Sequence, residues 1–496
     1  MTCMPFGQLM DWVLQEKKGQ DTVFGVHRPY TADAKNDMTI FTRNLETPVG
    51  PAAGPHTQLA QNIIASYYAG ARFFELKTVQ KMDGAELSAC VNKPCILADD
   101  EGYNCEWSTE LTVPDAMGEY IKAWFILHVM AKEFGLGAQD GFQFNISVGY
   151  DLAGIKGDKV NTFIDGMMEA KDTAVFQECK KWLLDHADKF QNFTREDIEA
   201  IPSNICNSAT ISTLHGCPPQ EIESIANYLL TEKHLNTFVK CNPTLLGYDF
   251  ARKTMDEMGY DYMVFGDFHF RDDLQYEDAV PMLTRLMKLS EELGLEFGVK
   301  ITNTFPVDVT RNELPSEEMY MSGKALFPLS ISLAAKLSAE FAGKLRISYS
   351  GGADYYNIDK IVECGIWPVT MATTLLKTGG YQRFTQVADK VEGICPKKWE
   401  GIDVDALKKL ATDAITDAHH VKNIKSIPNR KSTKEVPLLD CFYAPCSEGC
   451  PIHQDIPQYV ALTGEGRYKE ALEVILEKNA LPFITGTLCA HNCMTK

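Results

Sequence analysis

Strand-length runs rich in β-branched and aromatic residues alternate with helix-length segments from about residue 47 to residue 390. That alternation constrains the fold more than any other feature, because parallel strands need crossover helices between them and a sustained βαβα pattern makes a parallel α/β sheet. The clearest repeat lies between Lys344 and Gly380. Leu345–Tyr349 is a strand that stops at Ser350-Gly351-Gly352, where glycine lets backbone N–H groups turn toward a ligand. Ile358, Ile361 and Val362 then recur at helical spacing up to Gly365. Trp367–Met371 is a second strand, followed by Ala372-Thr373-Thr374 and another helical start. Two adjacent βα turns, one Gly-Gly and one Thr-Thr, are what a phosphate site needs at the last two strands of a (β/α)8 barrel. Taken alone, they also fit an ordinary βαβ unit with a tight turn.

At 496 residues the chain holds more than one domain's worth of sequence. Its formal charge of -19, from 48 basic and 67 acidic residues, argues against nucleic acid or an anionic membrane as the main partner. The first twenty residues have no long apolar core or secretory cleavage site, and no run of apolar residues is long enough to span a bilayer. Fifteen cysteines without a signal sequence point to a reducing compartment. The expectation is a cytoplasmic protein that uses its thiols for metal or redox chemistry.

Read in order, the chain puts candidate functional residues at successive strand ends, where a barrel collects its chemistry. LETPVGPAAGPHT (45–57) leaves a short strand for small residues that let a flat ligand lie against the backbone. Arg72–Thr78 carries Lys77 near its end, either as a site residue or as a solvated strand terminus. Residues 80–140 read as a long insertion in which Cys90, Cys95 and Cys105 are structural or lid cysteines, with zinc as the minority reading. Phe142–Val148 contains Asn145, and Ile205–Thr213 runs into Leu214-His215-Gly216-Cys217-Pro218. There the Cys217 thiol is placed to give or take a proton, although a buried inert cysteine is the commoner fate of the residue. FVKCNP puts Lys240 at another strand end, and Glu296–Thr302 runs into Asn303-Thr304. With Tyr260–Phe265 there are nine candidate strands for eight places, so one is outside the barrel or misassigned, and that segment is the suspect.

The helix Asp403–His420 closes the barrel domain, and the basic, turn-rich segment 422–437 reads as a linker. Five of the fifteen cysteines follow: Cys441, Cys446, Cys450, Cys489 and Cys493. Soft thiolates at short spacing, with a proline after Cys450, fit an iron–sulfur cluster, with zinc as the main competitor.

Two family resemblances are carried by ordered sets of motifs. AAGPHT with ELKT, FNIS, VKCNP, ITNT, SGKALFP, SYSGG with ECG, and MATTLL resemble the flavin-binding barrel of dihydroorotate and dihydropyrimidine dehydrogenases over residues 45–385. CFYAPCSEGCP and NALPFITGTLCAHNC resemble the start of the iron–sulfur segment shared by dihydropyrimidine dehydrogenase and the glutamate synthase small subunit. Together with GYNCEWSTEL (102–111), the order of modules resembles a long bacterial iron–sulfur flavoprotein subunit assigned to selenate reductase. The resemblance implies an α/β (β/α)8 TIM barrel over residues 1–421, including the 80–140 insertion. It implies a linker at 422–437 and an incomplete helical iron–sulfur domain at 438–496.

It also implies FMN at the barrel mouth. Ala53, Gly54 and Thr57 would lie against the isoalloxazine, with Lys77 and Lys240 on its polar edge. Gly323, Gly351, Gly352, Thr373 and Thr374 would hold the phosphate. Asn145, Asn303 and Thr304 would face a small-molecule substrate, with Cys217 and Lys240 catalytic. Cys441, Cys446, Cys450, Cys489 and Cys493 would ligate [4Fe-4S] clusters, and FAD and NAD(P)H would bind in a region beyond Lys496. Leu438 stands where the family has its first cluster cysteine, and His215-Gly216-Cys217 departs from the family's Asn-Leu-Ser-Cys-Pro order.

The function that follows is an oxidoreductase passing electrons between nicotinamide, iron–sulfur centres and FMN to a substrate or a partner redox subunit. The competing readings are dihydropyrimidine dehydrogenase-like reduction of a cyclic C=C bond, and a barrel without turnover acting as a scaffold.

Overall fold

The computed structural model describes residues 2–32, 38–92, 94–98, 100–105, 110–212, 215–422, 444–491 and 493. The chain divides into two compact units, Met4–Ile424 and a second made of Met1–Cys3 with Lys425–Lys496.

The larger unit is built on a single eight-stranded sheet. In chain order its strands are β1 (Val49–Pro51), β2 (Phe73–Glu75), β3 (Gln143–Val148) and β4 (Ser208–Ile211). They continue as β5 (Asn236–Cys241), β6 (Phe297–Ile301), β7 (Arg346–Tyr349) and β8 (Val369–Met371). Every neighbouring pair is parallel, and β8 pairs back onto β1 through Met371 opposite Pro51. The ring closes between β1 and β2, where the Arg72 N–H donates to the Val49 carbonyl at 2.9 Å. Closure needs Gly50: a Cβ there would lie 1.6 Å from the Phe73 carbonyl oxygen. Strands covered on both faces read as nearly continuous apolar runs, which is why they stand out in the sequence.

The interior of the barrel is plugged by polar groups as well as apolar ones. Lys300 Nζ lies 2.7 Å from Glu75 Oε1 and donates to Thr370 Oγ1 at 2.7 Å and to the Tyr349 carbonyl at 3.1 Å. Thr370 Oγ1 in turn donates to Glu75 Oε2 at 2.9 Å. In β3, Asn145, the register partner of Glu75, donates from Nδ2 to Thr210 Oγ1 at 2.8 Å.

Two stretches differ from their sequence reading. The segment 80–140 is not one insertion, because Val113–Glu133 is the crossover helix between β2 and β3. Thr112 caps it by accepting from the Asp115 N–H at 3.2 Å, and Glu119 ties it to the helix Ala60–Tyr68, the crossover between β1 and β2, by accepting from the Ala60 N–H at 2.7 Å. The remainder makes the helix Gly84–Cys90 and two short strands, Ile96–Ala98 and Gly102–Asn104. These two join Phe305–Asp308 and Glu318–Ser322, from the loop after β6, in a four-stranded antiparallel sheet. Tyr260–Phe265, the surplus strand candidate, lies outside the barrel as expected, but it is irregular backbone and not a strand. Its aromatic alternation serves a satellite core with Met258, Phe270, Phe305 and Met319, and the Tyr260 hydroxyl donates to the His420 carbonyl at 2.9 Å.

The smaller unit is helical over its described residues, with Pro445–Gly449, Ile456–Gly464, Tyr468–Leu476 and Pro482–Thr487. Asp455 caps the second by accepting from the Gln458 N–H at 3.1 Å, and Leu462, Ala471 and Val474 form a small core against Tyr459. Among the described residues no helix is long and apolar enough to cross a membrane.

Candidate active site and cysteine cluster

The C-terminal ends of the barrel strands open into a cavity of about 520 Å³. Ala52 and Ala53 line it after β1, Lys77 and Thr78 after β2, and Lys240 near the end of β5. Thr302, Asn303 and Thr304 line it after β6, and Asn104, Tyr320 and Ser322 enter from the antiparallel sheet at the rim.

One end of the cavity is a cradle of small residues. Gly351 and Gly352 after β7 have φ of +65° and +88°, and Gly323 has φ of +76°, a region that side chains with a Cβ disfavour. A Cβ on Gly352 would lie 2.5 Å from the Gly323 carbonyl oxygen, and one on Gly351 would lie 2.3 Å from Ser330 Oγ. Thr373 Oγ1 is 2.8 Å from Ser322 Oγ, and Thr374 Oγ1 donates to the Ala353 carbonyl at 3.2 Å. The Gly-Gly and Thr-Thr turns thus converge with Gly323 on one pole, where Lys324, Lys377 and Arg383 also line the wall. Backbone N–H groups, hydroxyls and cations around a space kept free of side chains suit a phosphate.

Lys240 supplies the other marked feature. Burial, reinforced by the positive charge of Lys300 and opposed by Glu75, pushes its pKa down to about 8. Its ammonium has no hydrogen-bond or ion-pair partner among the described residues, and it faces the cavity. A desolvated cation in that position favours a ligand with negative or hydrogen-bond-accepting character.

Of the residues singled out in the sequence, Ala53, Lys77, Lys240, Gly323, Gly351, Gly352, Thr373, Thr374, Asn303 and Thr304 line the cavity. Gly54, Thr57, Asn145 and Cys217 do not. Gly54 lies against the His56 ring, which a Cβ would approach to 2.5 Å, and Thr57 Oγ1 turns back to the Gly54 carbonyl at 3.1 Å. Asn145 is fully buried on Thr210 inside the barrel. Cys217 is partly exposed, with its sulfur 4.0 Å from the Pro218 carbonyl, while His215, two residues earlier, lines the wall.

The residues missed in the sequence are His215 and Asp273, whose Nδ1 and Oδ2 lie 2.8 Å apart, and the pair Lys300–Glu75 below them. A polar residue inside an apolar strand, as in FGVKI and FFE, is the signal that marks the second pair.

In the smaller unit, Cys446, Cys450, Cys489 and Cys493 act together on one phenol. Burial first, and then the potential of Cys493, Cys450, Cys489 and Cys446, raises the pKa of Tyr459. Cys441 and Leu438 lie outside the described residues.

A parallel α/β barrel with a cation-bearing mouth, followed along the chain by a cysteine-bearing helical unit, is the class of protein that the fold and site define. The chain belongs to the YgfK oxidoreductase family. The family described as oxidoreductase YgfK, N-terminal TIM-barrel domain, matches residues 24–422, and dihydropyrimidine dehydrogenase domain II, 4Fe-4S cluster, matches residues 425–496. The chain is 47% identical over 507 aligned residues to YgfK of Escherichia coli (strain K12), covering 99% of this chain and 49% of that protein. It therefore spans about half the length of the curated relatives it matches. A stretch of 66 residues, 13% of the chain, is 38% identical to 10% of the NADPH-Fe(3+) oxidoreductase subunit beta of Geobacter sulfurreducens (strain DL-1 / KN400). Among solved structures, a ligand-free DHODH from Eimeria tenella aligns with 80% of this chain and 97% of its own, at 16% identity and a TM-score of 0.46.

Proposed function

We propose that this chain is the part of an iron–sulfur flavoprotein that holds FMN at the barrel mouth and a [4Fe-4S] cluster in its helical unit. It would pass electrons between a nicotinamide-dependent part of the whole protein and a substrate or partner redox subunit. The observation that carries the reading is Lys240: a desolvated cation facing the same cavity that the glycine and threonine cradle lines. The cradle alone, with Lys324, Lys377 and Arg383 in the same wall, would suit many phosphates. A further, half-buried cation on the same cavity wall suits a ligand that carries an acceptor-rich ring as well as a phosphate.

Gly323, Gly351, Gly352, Thr373 and Thr374 would hold the phosphate, Ala53 would lie along the ring face, and Lys77 and Lys240 would meet its polar edge. Bound there, FMN supplies hydride exchange with a substrate and single-electron exchange with an iron–sulfur centre. Lys240 would favour the electron-rich form by charge alone. Cys446, Cys450, Cys489 and Cys493 would provide thiolates to the cluster, and the YgfK relationship supports a redox role for both units.

The test is an anaerobic visible spectrum of the purified chain, with released cofactor identified after acid precipitation and with iron and sulfide measured. A flavin envelope with FMN released is the expected result. Folded protein that neither carries nor takes up FMN overturns the reading and leaves a scaffold role in front. Adding selenate to the reduced chain tests the acceptor named by the resemblance: reoxidation supports it, and an unchanged reduced spectrum removes it.

A further inference from the structure

The turn after β4 brings an imidazole to the cavity instead of the thiol two residues on. His215 Nδ1 lies 2.8 Å from Oδ2 and 3.0 Å from Oδ1 of Asp273. Asp273 follows the short helix Phe268–Asp272 and is 4% exposed. Three further donors hold it: the Gly216 N–H at 2.9 Å, Asn242 Nδ2 at 3.0 Å and Thr244 Oγ1 at 2.7 Å. Burial works to raise the Asp273 pKa, but the hydrogen bonds from His215, Thr244 and the Gly216 N–H outweigh it and hold it below the usual value. Asn242 also accepts from Asn303 Nδ2 at 2.7 Å, so the cavity wall and the carboxylate belong to one network.

An ionised, anchored carboxylate fixes the neighbouring imidazole with Nδ1–H toward itself, and Nε2 becomes the nitrogen available to a ligand. The ring is further held by stacking on Tyr320, with centroids 5.6 Å apart, and by the edge of His269 at 5.0 Å. His269 Nε2 is itself 2.5 Å from Glu318 Oε2.

We propose that His215 is the acid–base group of this site and that Asp273 is its positioning residue. The proposal rests on the reading of the mouth as a flavin site and deepens it by naming where the proton comes from. The substrate class is a planar unsaturated molecule whose carbonyl or N–H edge can bond to Asn303 and Thr304. When such a double bond gains a hydride on one atom, its other atom takes a proton. The Nε2–H bond of His215 breaks, a C–H or N–H bond forms, the imidazolium becomes imidazole, and Asp273 keeps its charge. The substrate then holds two more electrons and two more hydrogens, and oxidation runs the same transfer backwards.

A divalent cation is the rival occupant, since ligand atoms of His215, His269 and Asp273 lie within 4.8 Å of one another. A carboxylate has about four lone-pair sites, and here four protein donors already use them, which leaves little capacity for a metal.

The test compares His215→Gln, Asp273→Asn and Cys217→Ser in the full chain. Diethyl pyrocarbonate with peptide mapping reads imidazole reactivity in the absence of any cofactor. His215 should be modified about tenfold faster in the wild type than in Asp273→Asn, because the oriented Nε2 is the nucleophile. In chain loaded with FMN and reduced by dithionite, reoxidation by 2-cyclohexen-1-one should slow by about 10²-fold or more in His215→Gln at equal flavin content. Cys217→Ser should stay within about threefold of the wild type, since its sulfur is off the cavity wall. Equal rates for wild type and His215→Gln overturn the proposal, as does a loss that follows Cys217→Ser instead. One equivalent of Zn²⁺ bound by the wild type and not by His215→Gln also overturns it. If no variant binds FMN, the flavin reading fails by itself, and carbethoxylation still decides the dyad: equal reactivity with and without Asp273 sinks it.

Discussion

Lys300 Nζ and Glu75 Oε1 lie 2.7 Å apart in the interior of the barrel, with their side chains 2% and 5% exposed. Lys300 comes from β6 and Glu75 from β2, so the contact crosses the barrel and ties opposite walls. A buried pair of this kind adds little over an apolar plug of the same size, but breaking it strands a charge. Glu75→Gln or Lys300→Met should therefore destabilise the barrel by about 3–5 kcal/mol in urea unfolding. The double variant Glu75→Leu with Lys300→Met should recover much of that loss, because no charge is left unpaired. A double variant as unstable as the worse single would show that the pair's hydrogen bonds to Thr370 and Tyr349, and not the stranded charge, carry the effect.

Lys240 gives a pH dependence whose sign is fixed by its environment. Its folded pKa of about 8 lies below the ordinary 10.5, with burial the leading cause. Between those values the unfolded chain holds the extra proton, so stability rises with pH across this window and the rise is complete once both states are neutral. Urea midpoints measured from pH 7 to pH 11 should show that climb, and Lys240→Met should remove it. Binding of an anionic ligand should run the other way, strongest below pH 8 and weakening as the ammonium is lost. A wild-type chain whose midpoint follows the Lys240→Met profile would show that this lysine is well solvated.

How much of this is legible in the sequence depends on how local each signal is. The barrel strands are legible because parallel strands covered on both faces are apolar throughout. The Gly-Gly and Thr-Thr turns are legible because turn chemistry is local. Val113–Glu133 is hidden inside a supposed insertion because it is buried on nearly every side from Ala116 to Ala131 and so lacks the polar stripe that marks a surface helix. Tyr260–Phe265 looks like a strand for a related reason: its aromatic residues pack into a satellite core without any ladder. The dyad cannot be read at all. His215 and Asp273 are 58 residues apart, and Asp273 sits in a loop with nothing local to distinguish it from a solvated aspartate.

The cradle makes a prediction that separates backbone strain from lost space. Gly352→Ala forces a side chain into φ of +88° and places its Cβ 2.5 Å from the Gly323 carbonyl oxygen. Gly393 has a comparable φ of +78°, and a Cβ there would meet nothing within 4 Å, which makes Gly393→Ala a matched control for strain alone. Both should lose about 1–2 kcal/mol of stability from the backbone conformation. Only Gly352→Ala should also lower FMN occupancy, by about tenfold or more if the Gly323 turn must move to admit the methyl group. Equal occupancy in the two variants would place the phosphate elsewhere.

The cysteine unit can be tested independently of the barrel. Cys446 lies in the helix Pro445–Gly449 and Cys450 caps its end, while Cys489 and Cys493 follow the helix Pro482–Thr487. A cluster held by both pairs would join the two ends of the described helical unit, whose apolar core among the described residues is Leu462, Ala471 and Val474 with Tyr459 against them. So small a core gives little stability, and metal ligation contributes folding free energy directly. Cys450→Ser should therefore lower iron and acid-labile sulfide together, and it should make 444–491 more open to protease while leaving the flavin content of the barrel unchanged. Loss of zinc with no change in iron would assign the thiols to a structural zinc ion. Retention of full iron content in both Cys450→Ser and Cys489→Ser would exclude these thiols as the ligands.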